Sequence, residues 1–368
     1  MSIKVWGYLK EYDAEKAEIH QAIENVLKSG SLILGENVAN FEKEFAKYSG
    51  VTFGIGVNSA TDALFLALKA IDVKVGDEVI TVSNTAVPTV SAIVATGATP
   101  VFVDIDPKSY LMDTTKLEAV ITPQTKCIIP VHLFGQCVDM RAVNEIAKKH
   151  NLKVIEDCSQ SHGATFEGKM CGSMSDMAAY SFYPTKILGG YGDGGMVVTD
   201  NEELNQKLRR LRFYGMEKTY YAVEDGYNSR LDELHAAILL SKLKHLPAYV
   251  SKRQELAKVY DALLADTTLG LPTVEEKNEH AYYLYVCRHP KRDQIIEELK
   301  KHDIFVNISY PWPIHTMSAY AHLGYKIGDL PHTELAANEI FSLPMYPTLT
   351  HDEVKKVSDA LHNILSKI

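Results

Sequence analysis

The chain has 368 residues, 46% hydrophobic and 23% charged, with 38 basic and 47 acidic side chains for a formal net charge of −9. That length buries a large core, divided over two domains by ordinary domain size, and an acidic balance without a clustered Lys/Arg stripe argues against nucleic acid as a partner. MSIKVWGYLKEYDAEK holds no apolar signal core and no run approaches membrane-spanning length, so no membrane association and a cytoplasmic setting are expected.

From about Val51 to Asp200 short apolar runs alternate with helical stretches. TFGIGV, DEVITV, TPVFVDI, KCIIPVHLF, LKVIED, MAAYSF and GMVVT are rich in β-branched residues and read as strands. SATDALFLALKA and DMRAVNEIAKKHN, lying between them, read as helices. Such alternation predicts an α/β fold built on a mainly parallel sheet covered on both faces, with ligands gathered outside the carboxyl ends of the strands. A long helical region follows from about Arg230 to Ala265, with a bend expected at Pro247. HAYYLYVCRH, RDQIIEELKKHD and a helical tail from Thr350 then read as a smaller C-terminal α/β domain. The expected division is 1–250 for the large domain and 251–368 for the small one.

Five cysteines (Cys127, Cys137, Cys158, Cys171 and Cys287) are odd in number and show no C-x-x-C spacing. That pattern argues against a disulfide framework and against a structural zinc site, so no metal is expected.

Three strand ends carry polar residues in the place where ligands collect. After strand 53–57 come Asn58, Ser59, Ala60, Thr61 and Asp62, opening a helix. Free backbone N–H groups and the helix dipole there can hold an anion without a lysine; N-capping by Ser59 or Thr61 is the plainer use. Strand LKVIED ends on Asp157, and Gln160 and His162 follow it. Taken singly, Asp157 reads as a turn cap, Glu156 as a solvated flank and His162 as a hydrogen-bonded loop residue.

The third end is SFYPTKILGGYGDGG, with Ser181 closing a strand, Pro184 fixing a turn and Lys186 following it. Gly190, Gly192 and Gly195 satisfy G-x-G-x-x-G, but that fingerprint needs a helix directly after it and MVVTD reads as a strand, so the spacing is accidental. A free lysine has a pKa near ~10.4, and burial or a nearby cation makes its amine a Schiff-base nucleophile. A solvated loop lysine is the bland alternative; so many glycines beside it point instead to close backbone approach or special dihedrals.

The three ends together ask for one ligand with a phosphate, a group that wants a carboxylate and an aldehyde for a lysine. Pyridoxal 5′-phosphate has all three. The sequence also resembles the DegT/DnrJ/StrS family of pyridoxal-phosphate-dependent sugar aminotransferases over nearly its whole length. The resemblance is carried by LILGENVANFEKEFAKYSG, GVNSATDALFLAL, PVHLFGQCVDM, EDCSQSHGATFEGKMCGSMSD, SFYPTKILGGYGDGGMVVTD and GYNSRLDELHAAIL. It implies the aspartate-aminotransferase type of fold (fold type I) and a homodimer. By the same resemblance Lys186 bonds the cofactor and moves the proton between cofactor and substrate carbons. Asp157 pairs with the pyridine nitrogen so that the ring accepts electrons, and Gln160 lies near the ring's phenolic oxygen. Ala60, Thr61 and Ser181, with Ser59 beside them, cradle the phosphate. Asn228 in GYNSR reaches it from the partner subunit, and His315 in PWPIH stands near the substrate's way in.

Two positions depart from the family pattern. Ala86 in VSNTAVPTV stands where an aromatic residue often stacks on the cofactor ring, and Ile187 follows the lysine where asparagine is frequent. The expected reaction is transamination of a nucleotide-linked keto-deoxysugar with glutamate as donor. Tyr183, three residues before the lysine, stands where many relatives that aminate C4 carry histidine. The resemblance therefore leans to a dTDP-3-keto-6-deoxyhexose, with a 4-keto sugar as the alternative. A sugar dehydratase of the same family would carry histidine at the position of Lys186, and a non-catalytic regulator would not need Lys186, Asp157 and Ser181 together.

Overall fold

All seven β-branched runs join one sheet. The computed structural model describes residues 2–368, and in it the runs form β1 (Phe53–Val57), β2 (Glu78–Val82), β3 (Thr99–Val103), β4 (Thr125–Ile128), β5 (Lys153–Asp157), β6 (Met177–Ser181) and β7 (Gly195–Thr199). Their order across the sheet is β1-β7-β6-β5-β4-β2-β3. The β3–β2, β2–β4, β4–β5 and β5–β6 pairs are parallel, and β7 runs antiparallel to both β6 and β1. The sheet is thus parallel except for one strand. Nearly every strand residue is buried, which explains runs of Val and Ile where a half-exposed strand would alternate with polar residues.

Helices cover both faces. In chain order they are α1 (Tyr8–Ser29), α2 (Glu36–Ser49), α3 (Ala60–Ala70), α4 (Val87–Ala95), α5 (Met140–His150) and α6 (Glu202–Leu211), then α7 (Glu233–Leu243) and α8 (Leu246–Leu264). On one face Leu64, Leu66 and Leu68 of α3 pack with Ile55, Ile155 and Val197 of the sheet. On the other, Phe41 and Phe45 of α2 pack with Tyr180 and Phe182, their rings meeting edge to face. The helix boundaries follow local chemistry. Ser59 caps α3 by accepting from the Asp62 N–H, Asp139 caps α5 in the same way, and Asn151 ends α5 in the left-handed region at φ 55°.

Pro247 does not bend one long helix; the chain breaks at Lys244–His245 and Pro247 opens the first turn of α8. A first-turn proline lacks only an N–H that would have no intrahelical acceptor anyway. α8 also spans two cores. Leu246 and Val250 belong to the core of the sheet, whereas Leu256, Tyr260 and Leu264 belong to a second core. That second core is built on the antiparallel pair β8 (Tyr285–Arg288) and β9 (Ile340–Leu343) and on α9 (Arg292–Lys301) and α10 (His351–Leu365). Thr350 and Glu353 start α10 with a reciprocal capping box. Among the described residues, no helix is long and apolar enough to cross a membrane.

Candidate active site

The register of the sheet assembles the site at its carboxyl edge. Gly195, the first residue of β7, lies between Val57 at the end of β1 and Ser181 at the end of β6. Asp157, the end of β5, pairs with Ala179 on β6. Three strand spacings separate β1 from β5, about 14 Å. A cavity of about 280 Å³ opens along this edge, and Ser59, Ala60, Thr61, Asp157, Gln160, Ser181, Tyr183 and Lys186 all line it. Residues from three separate sequence motifs therefore share one wall.

At the β1 end the wall is the first turn of α3. The Ser59 hydroxyl takes the Asp62 N–H at 3.1 Å, so N-capping is what that side chain does. The N–H groups of Ala60 and Thr61, which have no acceptor within the helix, are left for an anion. Gly195 permits this approach, because a Cβ there would overlap the Ser59 carbonyl. Gly189 has the same reason: a Cβ would overlap the carbonyl of Pro184. None of the glycines from 189 to 195 has a positive φ. Close packing, not special dihedrals, accounts for the glycine run.

Lys186 sits on a turn closed by its own N–H to the Tyr183 carbonyl at 2.9 Å and by the Gly190 N–H to the Phe182 carbonyl at 2.8 Å. Its Nζ lies 4.6 Å from the centroid of the Tyr283 ring, and the Tyr283 hydroxyl is hydrogen-bonded to Thr185 at 3.1 Å. The neighbouring His162 is buried with neither ring nitrogen hydrogen-bonded among the described residues. Burial and the charge of Lys186 push its pKa down to about 3, so its ring is neutral. It lies in a turn, as expected, but its ring makes none of the expected hydrogen bonds among the described residues.

At the β5 end, Asp157 is buried at 3% exposure. Its Oδ2 accepts from the Thr89 hydroxyl at 2.8 Å and its Oδ1 from the Ser159 N–H at 3.1 Å. Gln160 accepts the Phe134 N–H with its Oε1 and donates to Tyr310 with its Nε2, which fixes the orientation of the amide. Glu156 is not a solvated flank. It is fully buried on the other side of β5, where it accepts from Gly172 N, Met174 N and Ser175 Oγ and pairs with His132 Nε2 at 2.8 Å.

That histidine lies close to Cys137 and Cys171, close enough for one ion to touch all three. The Val138 N–H donates to His132 Nδ1 at 3.2 Å, which puts the ring proton on Nε2, facing Glu156. A metal would need that lone pair, so the group reads as a hydrogen-bonded core.

Two residues expected at the site stand away from the cavity wall. His315 is buried at 1% exposure with both ring nitrogens engaged, Nδ1 with Ser83 Oγ at 2.8 Å and Nε2 with Glu334 Oε1 at 3.1 Å. Its geometry is that of a fastener between the 313–334 segment and the end of β2. Asn228 is exposed, and its Oδ1 accepts from Arg230 at 2.7 Å. Thr85, Thr89, Val131 and Ser159 line the cavity without having been singled out from the sequence, as does Asp193. Only Thr85 and Thr89 carried a signal, since SNTAVPTV spaces two hydroxyls one helical turn apart. Ala86, at the place where the resembling family often carries an aromatic residue, also lines the cavity.

Residues 13–362 match the DegT/DnrJ/EryC1/StrS aminotransferase family. The chain is 54% identical to the dTDP-3-amino-3,4,6-trideoxy-alpha-D-glucose transaminase of Micromonospora megalomicea subsp. nigra, over 100% of both chains. Its fold superposes on crystalline DesV of S. venezuelae, solved with a ketimine intermediate, with a TM-score of 0.98 at 39% identity, covering 100% of this chain and 99% of that one. NtdA of Bacillus subtilis, solved with the bound cofactor PMP, gives 0.91 at 33% identity, covering 96% of this chain and 82% of that one. With its fold and the whole of its length accounted for, the chain belongs to the DegT/DnrJ/EryC1/StrS aminotransferase family.

Proposed function

We propose that the chain is a pyridoxal-phosphate-dependent transaminase that aminates C3 of a dTDP-3-keto-6-deoxyhexose, with glutamate as amino donor. The observation that carries the reading is the joint placement of Lys186, Asp157 and the first turn of α3 on one cavity wall. The cavity fits the cofactor by its donor set: unclaimed helix N–H groups and the Ser181 hydroxyl for a phosphate, a buried carboxylate for a ring nitrogen, and an amine between them. When bound, pyridoxal phosphate supplies an aldehyde and an electron-accepting ring. The protein does the rest. With the cofactor bound, Asp157 would hold positive charge at the ring nitrogen, Gln160 with its fixed amide would help orient the ring, and Lys186 would take and return the proton at Nζ. Tyr283 restricts where that Nζ points, and Tyr183, half exposed at the cavity rim, meets the sugar. The C3 preference draws on the transaminase at 54% identity and on Tyr183.

The division at about residue 250 belongs to the same reading, supported by the change of core along α8. The reading further takes the protein as a cytoplasmic homodimer whose sites are shared between subunits.

Lys186→Ala is expected to abolish turnover and the visible absorbance that depends on a bond between cofactor and lysine, while the phosphate contacts retain some exchangeable cofactor. Full turnover by this variant refutes the role of the lysine. Wild-type protein assayed with 3-keto and 4-keto dTDP-sugars is expected to show the higher kcat/KM for the 3-keto substrate, since discrimination is the ratio of those values. A clear preference for the 4-keto sugar overturns the regiochemistry and leaves the transaminase standing.

A further inference from the structure

Asp157 ends a short chain of hydroxyls that the reaction as described does not use. Thr89, buried at 1% exposure on the first turn of α4, donates to Asp157 Oδ2 at 2.8 Å. Thr85, also buried, lies 3.1 Å from Thr89, Oγ1 to Oγ1. An ionised carboxylate only accepts, so the single Thr89 proton goes to Asp157, and the Thr85–Thr89 bond must then run from Thr85 to Thr89. The two hydroxyls are ordered in one direction, and each strengthens the next by polarising it. Both line the cavity.

We propose that Thr89 is a positioning residue that keeps a proton on the cofactor's ring nitrogen by holding Asp157 as an anion, with Thr85 reinforcing it. This rests on the assignment of Asp157 to the ring nitrogen. A hydrogen bond donated to a carboxylate favours its charged form over its acid form. Without that donor the carboxylate competes better for the proton it shares with the ring. The proton moves toward Asp157, the ring becomes neutral, and it draws electrons less strongly. The Ser159 N–H, bound to the other oxygen, fixes the carboxylate plane but is backbone and remains in every variant.

The test reads the ring nitrogen itself. Holoenzyme is reconstituted with pyridoxal phosphate labelled with ¹⁵N in the ring, and the chemical shift is compared among wild type, Thr89→Val, Thr89→Ser, Thr85→Val and Asp157→Asn. Thr89→Val keeps the shape of the side chain and is expected to move the shift toward that of neutral pyridine. Its kcat should fall about tenfold, the order expected for one hydrogen bond to a charged group, with the KM for the nucleotide sugar unchanged. Thr89→Ser should restore both readings, and Thr85→Val should move the shift the same way by less. A wild-type shift in Thr89→Val, beside a displaced shift in Asp157→Asn, overturns the proposal alone. A wild-type shift in Asp157→Asn overturns the assignment of Asp157 and this proposal with it. If Thr89→Val does not take up cofactor, the Thr85→Val shift decides: displacement supports the relay and a wild-type value overturns it.

Discussion

His162 shows how much one side chain's surroundings set its chemistry. Its ring packs against Phe45, Tyr180 and Phe182, with no partner for either nitrogen among the described residues. Burial and the Lys186 charge lower its pKa from the ordinary 6.5 to about 3. Between those values the unfolded chain binds a proton that the folded chain refuses. Folding stability is therefore unaffected by this group above pH 6.5 and is lost as the pH falls through the window toward 3. The loss is on the order of 1 kcal/mol per pH unit. His162→Phe keeps an aromatic ring and removes the group that titrates. Urea unfolding midpoints of wild type and variant should keep a constant difference above pH 7, and that difference should shift in the variant's favour as the pH drops toward 4, the wild type losing stability faster. Parallel curves throughout would show that the folded protein accepts the proton at His162 as readily as the unfolded chain does.

At the scale of elements, α2 depends on a side chain far away in the sequence. Gly35 precedes it and offers no side-chain cap. Instead the buried Glu233 accepts from the N–H groups of Gly35, Asn37 and Val38 at 2.8–3.0 Å and from Asn37 Nδ2 at 2.8 Å. Glu233→Gln replaces one acceptor oxygen with a donor that faces those N–H groups. It should cost about 3 kcal/mol, a typical figure for leaving buried donors unsatisfied beside a lost charge, read as a lower thermal midpoint with α2 amides exchanging early. A midpoint within a degree of wild type would place the capping elsewhere. This contact also marks the limit of what sequence reveals. The seven strands were legible because each is buried on both faces and so carries its own β-branched run. The placement of Lys186, Asp157 and Gln160 along one cavity was legible because each ends or follows such a run at the sheet's carboxyl edge. Their pairings were not: SNTAVPTV shows two spaced hydroxyls but not that Thr89 meets Asp157, 68 residues on, nor that Tyr310 meets Gln160 across 150 residues or Tyr283 meets Thr185, beside Lys186, across 98. Only the chain's path brings them together. Glu156 and His162 read as ordinary polar residues because local pattern does not say which side of β5 is dry.

For the whole molecule, the position of Asn228 bears on how many chains make one site. Asn228 does not line the cavity of its own chain. Its Oδ1 is taken by Arg230, whose guanidinium lies 5.0 Å from the Phe213 ring and 5.4 Å from the Tyr214 ring. Nδ2 donates to nothing among the described residues and Asn228 is exposed, so under the shared-site reading its N–H groups are the donors that would meet the partner chain's phosphate. The surrounding segment exposes Tyr220 at 95% and Tyr221 at 63%, aromatic surface of the kind that partners cover. If two chains exchange Asn228, neither variant of a complementary pair works alone but their mixture does. Asn228→Asp keeps Lys186 and sets a carboxylate against the phosphate; Lys186→Ala keeps Asn228. In a hybrid dimer one site receives Lys186 from the first chain and Asn228 from the second, while the other receives neither. Random exchange makes half the dimers hybrids with one competent site in two, so about a quarter of wild-type activity should return. The measurement is turnover after unfolding and refolding the two variants together, against each refolded alone, with mass spectrometry of differently tagged chains to count hybrids. Hybrids formed without recovered turnover would mean that each chain completes its own site, and that Asn228 acts only on its own surface.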